Sequence, residues 1–252
     1  MEKFSKIYHD NKVKWIKYQE GEWFELLNSI YDKESITSKD PIRQTKFHFM
    51  TPCEGGKVIA LAYNYKSLVG KDDNFDEPLF FFKSPTSLVE HQGNVLYPDF
   101  SNNTWLEAEL SIVIGAKGKN ITIEEVDDYI LGYTCGNDIT CENIHNRDWH
   151  LARSKGLDTF CPLGPHLIKN LNTESLSIKS YINDKMVQNS NTSDRILNDK
   201  QSVCLISKYI TLYPGDVILT GTPAGATDAI IKRGDQIKIE IENIGTLINT
   251  VI

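Results

Sequence analysis

Short apolar segments separated by turn-forming residues dominate most of the chain. They comprise residues 58–62, 79–82, 110–114 and 216–219. Each segment is strand-sized and bounded by Gly, Pro, Asn or Asp, which is typical of a β-rich domain with few helices. Residues 235–241 alternate strictly between polar and apolar side chains, and this alternation predicts a strand with one exposed face.

Helical patterns are few in this sequence. Residues 202–209 favour a helix, because a helix there would place three apolar side chains on one side: Val203, Ile206 and Ile210. Residues 23–27 favour a short helix or turn, whereas residues 13–18 alternate like a strand. Together these patterns predict a mostly β (α+β) protein with peripheral short helices.

A cluster of Pro and Gly residues between positions 51 and 56 predicts a domain boundary, because these residues interrupt regular structure. We therefore divide the chain into a small N-terminal subdomain, residues 1–53, and a larger catalytic domain, residues 54–252. A chain of 252 residues is long enough for this division, since domains typically hold about 50 to 200 residues.

Composition and charge narrow the class of protein. The chain is 40% hydrophobic and 24% charged, as in ordinary globular proteins, which excludes a wholly disordered chain. Its net charge of -7 opposes nonspecific binding to nucleic acid. The first residues lack the pattern of a secretory signal, and no apolar run approaches the roughly 20 residues that span a bilayer. We therefore expect a cytoplasmic protein with neither a nucleic-acid nor a membrane partner.

Residues 105–115 predict a strand that carries two carboxylates on one face. Alternate side chains of a strand share a face, so Glu107 and Glu109 are expected to point the same way. Two like charges at such positions repel each other unless water or a shared cation screens them. Water is the ordinary explanation, and a third ligand is needed before the pattern indicates a metal site.

Asp138 is the candidate third ligand. It ends the segment 132–138 with an Asn-Asp pair, a common way to project a carboxylate from a strand end into a cleft. Three converging carboxylates would select a hard cation, either Mg²⁺ or Mn²⁺ in a small site or Ca²⁺ in a looser one. Zn²⁺ is disfavoured without His or Cys ligands. A substrate that binds the cation through a carboxylate and a neighbouring keto oxygen would be activated by Lewis-acid chemistry.

Several motifs follow one another in a characteristic order along residues 57–252. They are Leu61-Ala62-Tyr63-Asn64-Tyr65, Phe82-Lys83, Glu107-x-Glu109, Asn137-Asp138, the segment from Lys155 to Pro165, Asn183, Gln188, and the segment from Pro214 to Gly225. This series resembles the fumarylacetoacetate hydrolase family. The motifs together are highly specific, although each alone is not.

The resemblance implies a β-roll characteristic of that family, usually in a homodimer. It also implies Mg²⁺ or Mn²⁺ bound by Glu107, Glu109 and Asp138, with Ca²⁺ as a substitute in crystals. The implied substrates are 2-oxo or 2-hydroxy-dienoic acids, including those of aromatic compound catabolism. The step that members share is the formation or protonation of a metal-bound enolate.

Four further residues take their expected roles from this resemblance. Lys155 matches the active-site lysine of the family, where an ammonium stabilises an enolate oxygen or helps to hold the substrate. In the TGTP loop (Thr220 to Pro223), the backbone N–H groups around Gly221 and the hydroxyl of Thr222 are expected to cradle a substrate carboxylate. Gln188 matches a polar residue that reaches the substrate in the family.

The departures from the family pattern bear on the type of reaction. Hydrolytic members carry a His and a Glu that activate water, and here those positions hold Leu68 and Lys71. Glu142 stands where many members carry an Arg, so a proton-transfer group replaces a cation suited to clamping a carboxylate. His145, in the same segment, is a second candidate acid or base. The homoprotocatechuate-pathway decarboxylase-isomerase branch is similar in lacking both features.

The sequence therefore predicts an Mg²⁺- or Mn²⁺-dependent isomerase, tautomerase or decarboxylase of a small 2-oxo or 2-hydroxy-dienoic acid. The closest pattern is that of the 2-hydroxyhepta-2,4-diene-1,7-dioate isomerase and 5-carboxymethyl-2-oxo-hex-3-ene-1,7-dioate decarboxylase type. One alternative is a C–C bond hydrolase of acylpyruvates or fumarylacetoacetate-type β-diketo acids. A second alternative is a noncatalytic metabolite-binding protein of the same fold.

Overall fold

β-Strands make up most of the regular structure of this protein. The computed structural model describes residues 1–43, 46–69, 78–100, 103–142 and 152–252. In the first half of the chain the strands are β1 (Glu2–His9), β2 (Lys12–Gln19), β3 (Glu22–Glu25), β4 (His48–Phe49), β5 (Val58–Ala62), β6 (Leu79–Lys83), β7 (Leu88–Val89), β8 (Asn94–Val95), β9 (Thr104–Trp105) and β10 (Ala108–Ile114). They are followed by β11 (Ile130–Asn137), β12 (Thr140–Cys141), β13 (Cys161–Lys169), β14 (Ser177–Ile182), β15 (Lys185–Asn191), β16 (Val217–Leu219), β17 (Gln236–Ile241) and β18 (Gly245–Val251). The described helices are α1 (Lys66–Val69), α2 (Ala152–Lys155) and α3 (Asp199–Tyr209). The prediction of a mostly β fold with short peripheral helices is confirmed.

Two mixed sheets carry the fold. The larger sheet has the strand order β3-β2-β1-β13-β11-β10-β16-β5-β6, with β4 added to β1 and β7 added to β13. The second sheet has the order β15-β14-β17-β18-β8, and β9 and β12 form a small ladder of their own. Among the residues that the structure describes, no helix combines the length and hydrophobicity needed to cross a membrane.

Strand β10 lies at the centre of the larger sheet and is buried on both faces. On one face Leu110 and Ile112 belong to a core that includes Ile239 of the second sheet. On the other face Val113 joins a separate core with Leu219. Burial on both faces explains why this strand is nearly continuous in apolar residues, and it leaves Glu109 with almost no access to solvent.

The N-terminal strands extend the larger sheet. Strand β1 pairs antiparallel with β13, placing Phe4 opposite Leu167. The predicted strand at residues 13–18 is confirmed in β2. The helix or turn predicted at residues 23–27 is wrong, because Trp23 pairs with Tyr18 inside strand β3. A partner strand close in sequence thus overrides a short local pattern. The division of the chain at residues 53 and 54 stays a prediction.

Helix α3 confirms the helix predicted at residues 202–209. It begins after Asn198, whose side-chain oxygen accepts a hydrogen bond from the backbone N–H of Gln201 at 3.0 Å. The Gln201 side-chain oxygen accepts the Asn198 backbone N–H in return, also at 3.0 Å. This capping box satisfies two donors of the first turn. Val203 and Ile206 then pack into the core.

Candidate active site

Two adjacent strand ends bring the predicted carboxylates together. Strands β10 and β11 are antiparallel, so the residue just before β10, Glu107, lies beside the residue just after β11, Asp138. The Asp138 N–H donates to the Glu107 carbonyl at 3.0 Å, and the Glu107 N–H donates to the Asn137 side chain at 2.9 Å. Glu109 follows two residues along β10, opposite Gly136. The backbone pairing therefore fixes the three acids relative to one another.

The three carboxylates form one buried cluster. Ligand oxygens of Glu107, Glu109 and Asp138 all lie within 4.8 Å of one another. Glu109 and Asp138 are each 1% exposed and Glu107 is 8% exposed, so these are not the acids of a solvated strand face. Acidic side chains are almost never buried to this extent without a cation. The cluster predicted from the sequence is present in the folded chain.

Glu109 has one carboxylate oxygen free to bind a cation. Its Oε2 accepts a hydrogen bond from the Gly221 backbone N–H at 2.5 Å. Its Oε1 is buried and has no hydrogen-bond partner among the described residues. A buried carboxylate oxygen without a partner is costly in free energy, and a divalent cation would satisfy it. The donor set of three carboxylates therefore fits Mg²⁺ or Mn²⁺.

Two buried lysines balance part of the negative charge. The Lys155 ammonium lies 2.7 Å from Asp138 Oδ2 and 3.0 Å from Glu107 Oε1, and it stands 5.3 Å above the ring centre of Phe81. The ammonium of Lys83 forms an ion pair with the other oxygen of Asp138 and donates to the Ile139 carbonyl at 3.3 Å. Three carboxylates and two ammonium groups leave one net negative charge in the cluster.

Burial and these charges act differently on each group. Burial lowers the pKa of Lys155, but the charges of Asp138 and Glu107 outweigh that effect and raise the pKa above its ordinary value. Burial raises the pKa of Asp138, but Lys155 and Lys83 outweigh it and the pKa falls. Burial, Asp138 and Glu107 together raise the pKa of Glu109. In the metal-free protein, the raised pKa of Glu109 favours a proton on this carboxylate.

A cavity of about 150 Å³ opens beside the cluster. Its polar wall consists of Glu107, Asp138, Thr140, Lys155, Thr222 and Thr227. Its apolar wall consists of Leu61, Ala62, Tyr63, Leu68, Phe81, Trp105 and Ala226. A small polar patch on an otherwise apolar pocket is the usual form of a small-molecule site. Leu68 is thus part of the apolar wall. It stands at the position where hydrolytic members carry a water-activating His.

The TGTP loop is held between the carboxylates and Gln188. The Gln188 side chain donates to Thr222 Oγ1 at 3.0 Å and to the Pro223 carbonyl at 3.1 Å. Its oxygen accepts from the Ala108 N–H at 3.0 Å and from the Ser180 hydroxyl at 2.9 Å. Gln188 therefore lies behind Thr222 and does not line the described cavity. Thr222 does line it, while direct contact of Gln188 or Gly221 with a substrate stays a prediction.

Gly221 permits the close approach of this loop. Its φ is +91°, and a Cβ there would lie 2.9 Å from Asn64 Cβ and 3.3 Å from the Leu61 carbonyl. We expect Gly221→Ala to lower the free energy of unfolding by about 1–2 kcal/mol for the left-handed conformation and by about 1–3 kcal/mol more for the steric conflict. Gly234→Ala is the matched control, because Gly234 has a φ of +90° and open space around its Cβ position. Equal losses for the two variants in urea denaturation would contradict this account.

Glu142, the candidate proton carrier that the structure describes, lies apart from the cavity. Glu142 is exposed just after β12, and its side chain accepts a hydrogen bond from Asn103 at 2.9 Å. It does not line the described cavity. His145 lies outside the described residues, as does Lys71. The proposed roles of Glu142 and His145 therefore stay predictions.

Three residues around Glu107 and Asp138 received no role from the sequence. Trp105 and Thr140 donate to Glu107 Oε1 at 2.9 and 2.8 Å. Lys83 pairs with Asp138 from strand β6. Lys83 belongs to the Phe82-Lys83 motif of the family pattern, but no role was attached to that motif. Trp105 is two residues before Glu107, and Thr140 is two residues after Asp138. The sequence therefore indicated that both lie near the carboxylates, but it did not predict their hydrogen bonds.

Comparison with known proteins agrees with this architecture. Residues 57–252 match the family described as fumarylacetoacetate (FAA) hydrolase C-terminal. A mitochondrial oxaloacetate tautomerase from Rattus norvegicus is 32% identical over 84% of this chain and 71% of its own length. The structure of a 5-carboxymethyl-2-hydroxymuconate delta-isomerase from Mycobacterium smegmatis superposes with a TM-score of 0.88 at 30% identity, covering 100% of this chain and 99% of that one.

A second solved structure leads to the same family. A 2-hydroxyhepta-2,4-diene-1,7-dioate isomerase from Mycobacterium marinum superposes with a TM-score of 0.90 at 29% identity, over 100% of this chain and 98% of that one. The family match covers most of the chain and includes every element that carries the carboxylates and Lys155. The chain therefore belongs to the fumarylacetoacetate hydrolase family.

Proposed function

We propose that this protein is a divalent-metal-dependent isomerase or tautomerase of a 2-oxo or 2-hydroxy-dienoic acid. The observation that carries the proposal is a buried carboxylate cluster beside Lys155 in a cavity whose wall holds Leu68. The similarity of the chain to an oxaloacetate tautomerase and to two isomerases supports the same reaction class. Isomerisation needs a proton to move within the substrate and needs no attacking water.

Glu107, Glu109 and Asp138 would hold the cation. When bound, Mg²⁺ or Mn²⁺ would supply Lewis-acid polarisation of the 2-oxo group, which makes the neighbouring C–H more acidic. The charge of the site suits this role. A divalent cation would change the cluster from one net negative charge to one net positive charge, which matches the single carboxylate of a simple 2-oxo acid.

Lys155 would act as a fixed positive charge. Its raised pKa keeps the ammonium protonated at neutral pH, so it is unsuited to removing a proton from the substrate. Its Nζ lies on the cavity wall between Glu107 and Asp138. There it would stabilise negative charge that develops on the substrate oxygen during enolisation, and it needs no rearrangement to do so.

Thr222 and the apolar wall would orient the substrate. Thr222 Oγ1 accepts a hydrogen bond from Gln188, which leaves the hydroxyl proton of Thr222 available to a substrate carboxylate. Phe81 and Trp105 belong to the apolar wall of the cavity and would reduce the access of water to a bound substrate. A dry cavity strengthens the electrostatic effect of Lys155 and protects an enolate from solvent. Glu142 or His145 would carry the proton.

Proton exchange in D₂O tests the proposal directly. Protein loaded with Mg²⁺ is mixed with oxaloacetate, and NMR follows deuterium uptake at the carbon next to the 2-oxo group, with Mg²⁺ alone as the control. We expect uptake well above the control, and its loss when EDTA removes the metal. Undiminished wild-type exchange in metal-free buffer would refute the proposal.

The same protein distinguishes the other reactions of the family. Acylpyruvate is incubated with the metal-loaded protein, and the products are separated by chromatography. Pyruvate together with a carboxylic acid would identify a C–C hydrolase. Release of CO₂ from oxaloacetate above the Mg²⁺ control would identify a decarboxylase. Calorimetric binding of oxalate without turnover of any 2-oxo acid would identify a metabolite-binding protein.

A further inference from the structure

A second, larger cleft lies on the N-terminal part of the β3-β2-β1-β13 sheet. Its volume is about 900 Å³, and it shares no lining residue with the cavity beside the carboxylates. Its lining is mainly aromatic and cationic, consisting of Lys3, Tyr18, Trp23, Arg43, Lys46, Phe47, Phe49 and His166, together with Gly21, Glu22, Ile42 and Gln92. The proposed function makes no use of this cleft.

Strand register explains how these side chains come together. Lys3 lies opposite Tyr18, and Tyr18 lies opposite Trp23, so the three form one row across β1, β2 and β3. Opposed residues on neighbouring strands share a face of the sheet. His166 extends this surface from β13, with its ring stacked on that of Trp23 at a centroid distance of 5.8 Å. These side chains therefore form a continuous floor.

The second wall of the cleft comes from Ile42, Arg43, Lys46, Phe47 and Phe49. Ile42 donates its N–H to the Trp23 carbonyl at 2.7 Å, and β4 pairs with β1 at Phe49. The ring of Phe47 lies 6.3 Å from that of Trp23, and the ring of Phe49 lies 5.5 Å from that of His166, both edge to face. Aromatic side chains thus line both floor and wall of an open cleft.

The ammonium of Lys3 has no matching acid among the described residues of this cleft. The Lys3 ammonium stands 5.6 Å from the ring centre of Tyr18 and 5.8 Å from that of Trp23, and it makes no ion pair with a described residue. Burial lowers the pKa of Lys3. Arg43 and Lys46 also line the cleft, and Glu22 is the one acid among the described lining residues. A half-buried ammonium without a counter-ion favours an anionic ligand.

His166 adds a polar but uncharged surface. Its Nδ1 is hydrogen-bonded to the Ser5 hydroxyl at 2.7 Å. Burial, followed by the positive charges of Lys3 and His91, lowers the pKa of His166 to about 3. The imidazole is therefore neutral near pH 7, and its ring serves as part of the aromatic surface. The positive charge of the cleft comes from the lysine and arginine side chains alone.

We infer that this cleft is a second binding site, for a planar aromatic carboxylate. The flat rings of Tyr18, Trp23 and Phe49 suit a conjugated ring, and the ammonium of Lys3 suits a carboxylate attached to it. The volume lies within the usual range for small-molecule sites, about 300–1,000 Å³. The ligand needs both its aromatic ring and its carboxylate, because the aromatic side chains of the cleft recognise the first and Lys3 recognises the second.

Calorimetric titration with 2-naphthoate tests this site in the full-length protein. Mg²⁺ and excess oxalate are present throughout, so that a carboxylate cannot bind at the catalytic cluster. Two matched probes separate the contributions, namely 2-naphthamide, which lacks the charge, and cyclohexanecarboxylate, which lacks the aromatic ring. We expect saturable binding of 2-naphthoate that is about tenfold or more tighter than that of either probe.

Variants assign the binding to the cleft. Lys3→Met and Trp23→Leu should each weaken 2-naphthoate binding about tenfold or more. Lys12→Met is the control, because Lys12 is an exposed residue of the same sheet that does not line the cleft. Arg43→Met, at an exposed position, gives a second measurement if Lys3→Met fails to fold, and it should also weaken binding.

Three results would overturn this inference. The first is the absence of saturable 2-naphthoate binding to wild-type protein. The second is equal binding by wild type, Lys3→Met and Arg43→Met. The third is loss of self-association in Trp23→Leu, measured by sedimentation, without any change in 2-naphthoate binding, since that would identify the cleft as an interface between copies of the chain. None of these results depends on whether the catalytic site is an isomerase.

Discussion

Glu109→Gln should abolish the metal-dependent activity and weaken Mg²⁺ or Mn²⁺ binding by about a hundredfold or more, since even loss of a partner behind a metal ligand typically costs about 10- to 100-fold. The substitution keeps the size of the side chain and can still accept the Gly221 N–H. It replaces the charged, unpartnered Oε1 ligand with a neutral group. Calorimetry with Mn²⁺ and the D₂O exchange assay measure the two effects.

Without metal, the same substitution should raise the free energy of unfolding at alkaline pH. Because the pKa of Glu109 is raised in the folded protein, its contribution to stability is fully present below the unfolded pKa of about 4.3. That contribution is lost as the pH rises toward the raised pKa, since the folded state then binds more protons than the unfolded state. Glu109→Gln removes the titrating group.

At pH 8 without metal, we therefore expect Glu109→Gln to have a higher free energy of unfolding than wild type. Saturating Mg²⁺ should reverse the order, because only wild type would bind the cation well. Urea denaturation at pH 5 and pH 8, with and without Mg²⁺, measures this reversal. If Mg²⁺ stabilises both proteins equally, Glu109 is not a ligand.

Lys155→Met should separate metal binding from catalysis. Loss of the ammonium removes a positive charge from the substrate oxygen, and we expect kcat to fall about 100- to 1,000-fold. Metal affinity should hold or rise, because the three carboxylates remain and the cation no longer competes with Lys155 for Glu107 and Asp138. Mn²⁺ calorimetry together with the exchange assay would show that Lys155→Met loses activity and keeps its metal affinity. Glu109→Gln should lose both.

The metal-free stability of Lys155→Met gives a second readout. Removing one partner of a buried ion pair typically costs about 3–5 kcal/mol, and we expect bound Mg²⁺ to recover much of that loss. Lys14→Met is the control, since Lys14 pairs with Glu25 at 2.8 Å on the N-terminal strands, away from the cluster. If Lys155→Met loses metal affinity as Glu109→Gln does, Lys155 orders the ligands and our assignment of its role is wrong.

Local sequence carried more information about the metal cluster than about the rest of the site. Glu107 and Glu109 are two residues apart, and Asp138 ends the strand that pairs with theirs. Such geometry follows from the strand period and from one antiparallel pairing. The burial of the cluster could not be predicted in this way, because it depends on groups distant in sequence that pack against the carboxylates and Lys155, such as Phe81, Lys83 and Gly221.

The contacts that depend on distant pairing were missed. Lys83 is 55 residues before Asp138, and it reaches that carboxylate only because β6 pairs with β5 beside β16 and β10. The expected contact of Gln188 with the substrate stays a prediction, and its hydrogen bond from strand β15 to Thr222 was not anticipated. Strand β3 was mistaken for a helix or turn for the same reason, since its structure comes from pairing with β2.

The two buried lysines also bear on the order of events in biosynthesis. In many small metalloproteins the ligands repel one another until the ion arrives, so folding waits for metal. Here Lys83 and Lys155 already offset two of the three negative charges. We therefore expect a newly made chain to reach its native structure in a cell short of magnesium or manganese, and we propose that it becomes active later, when either ion enters a finished site.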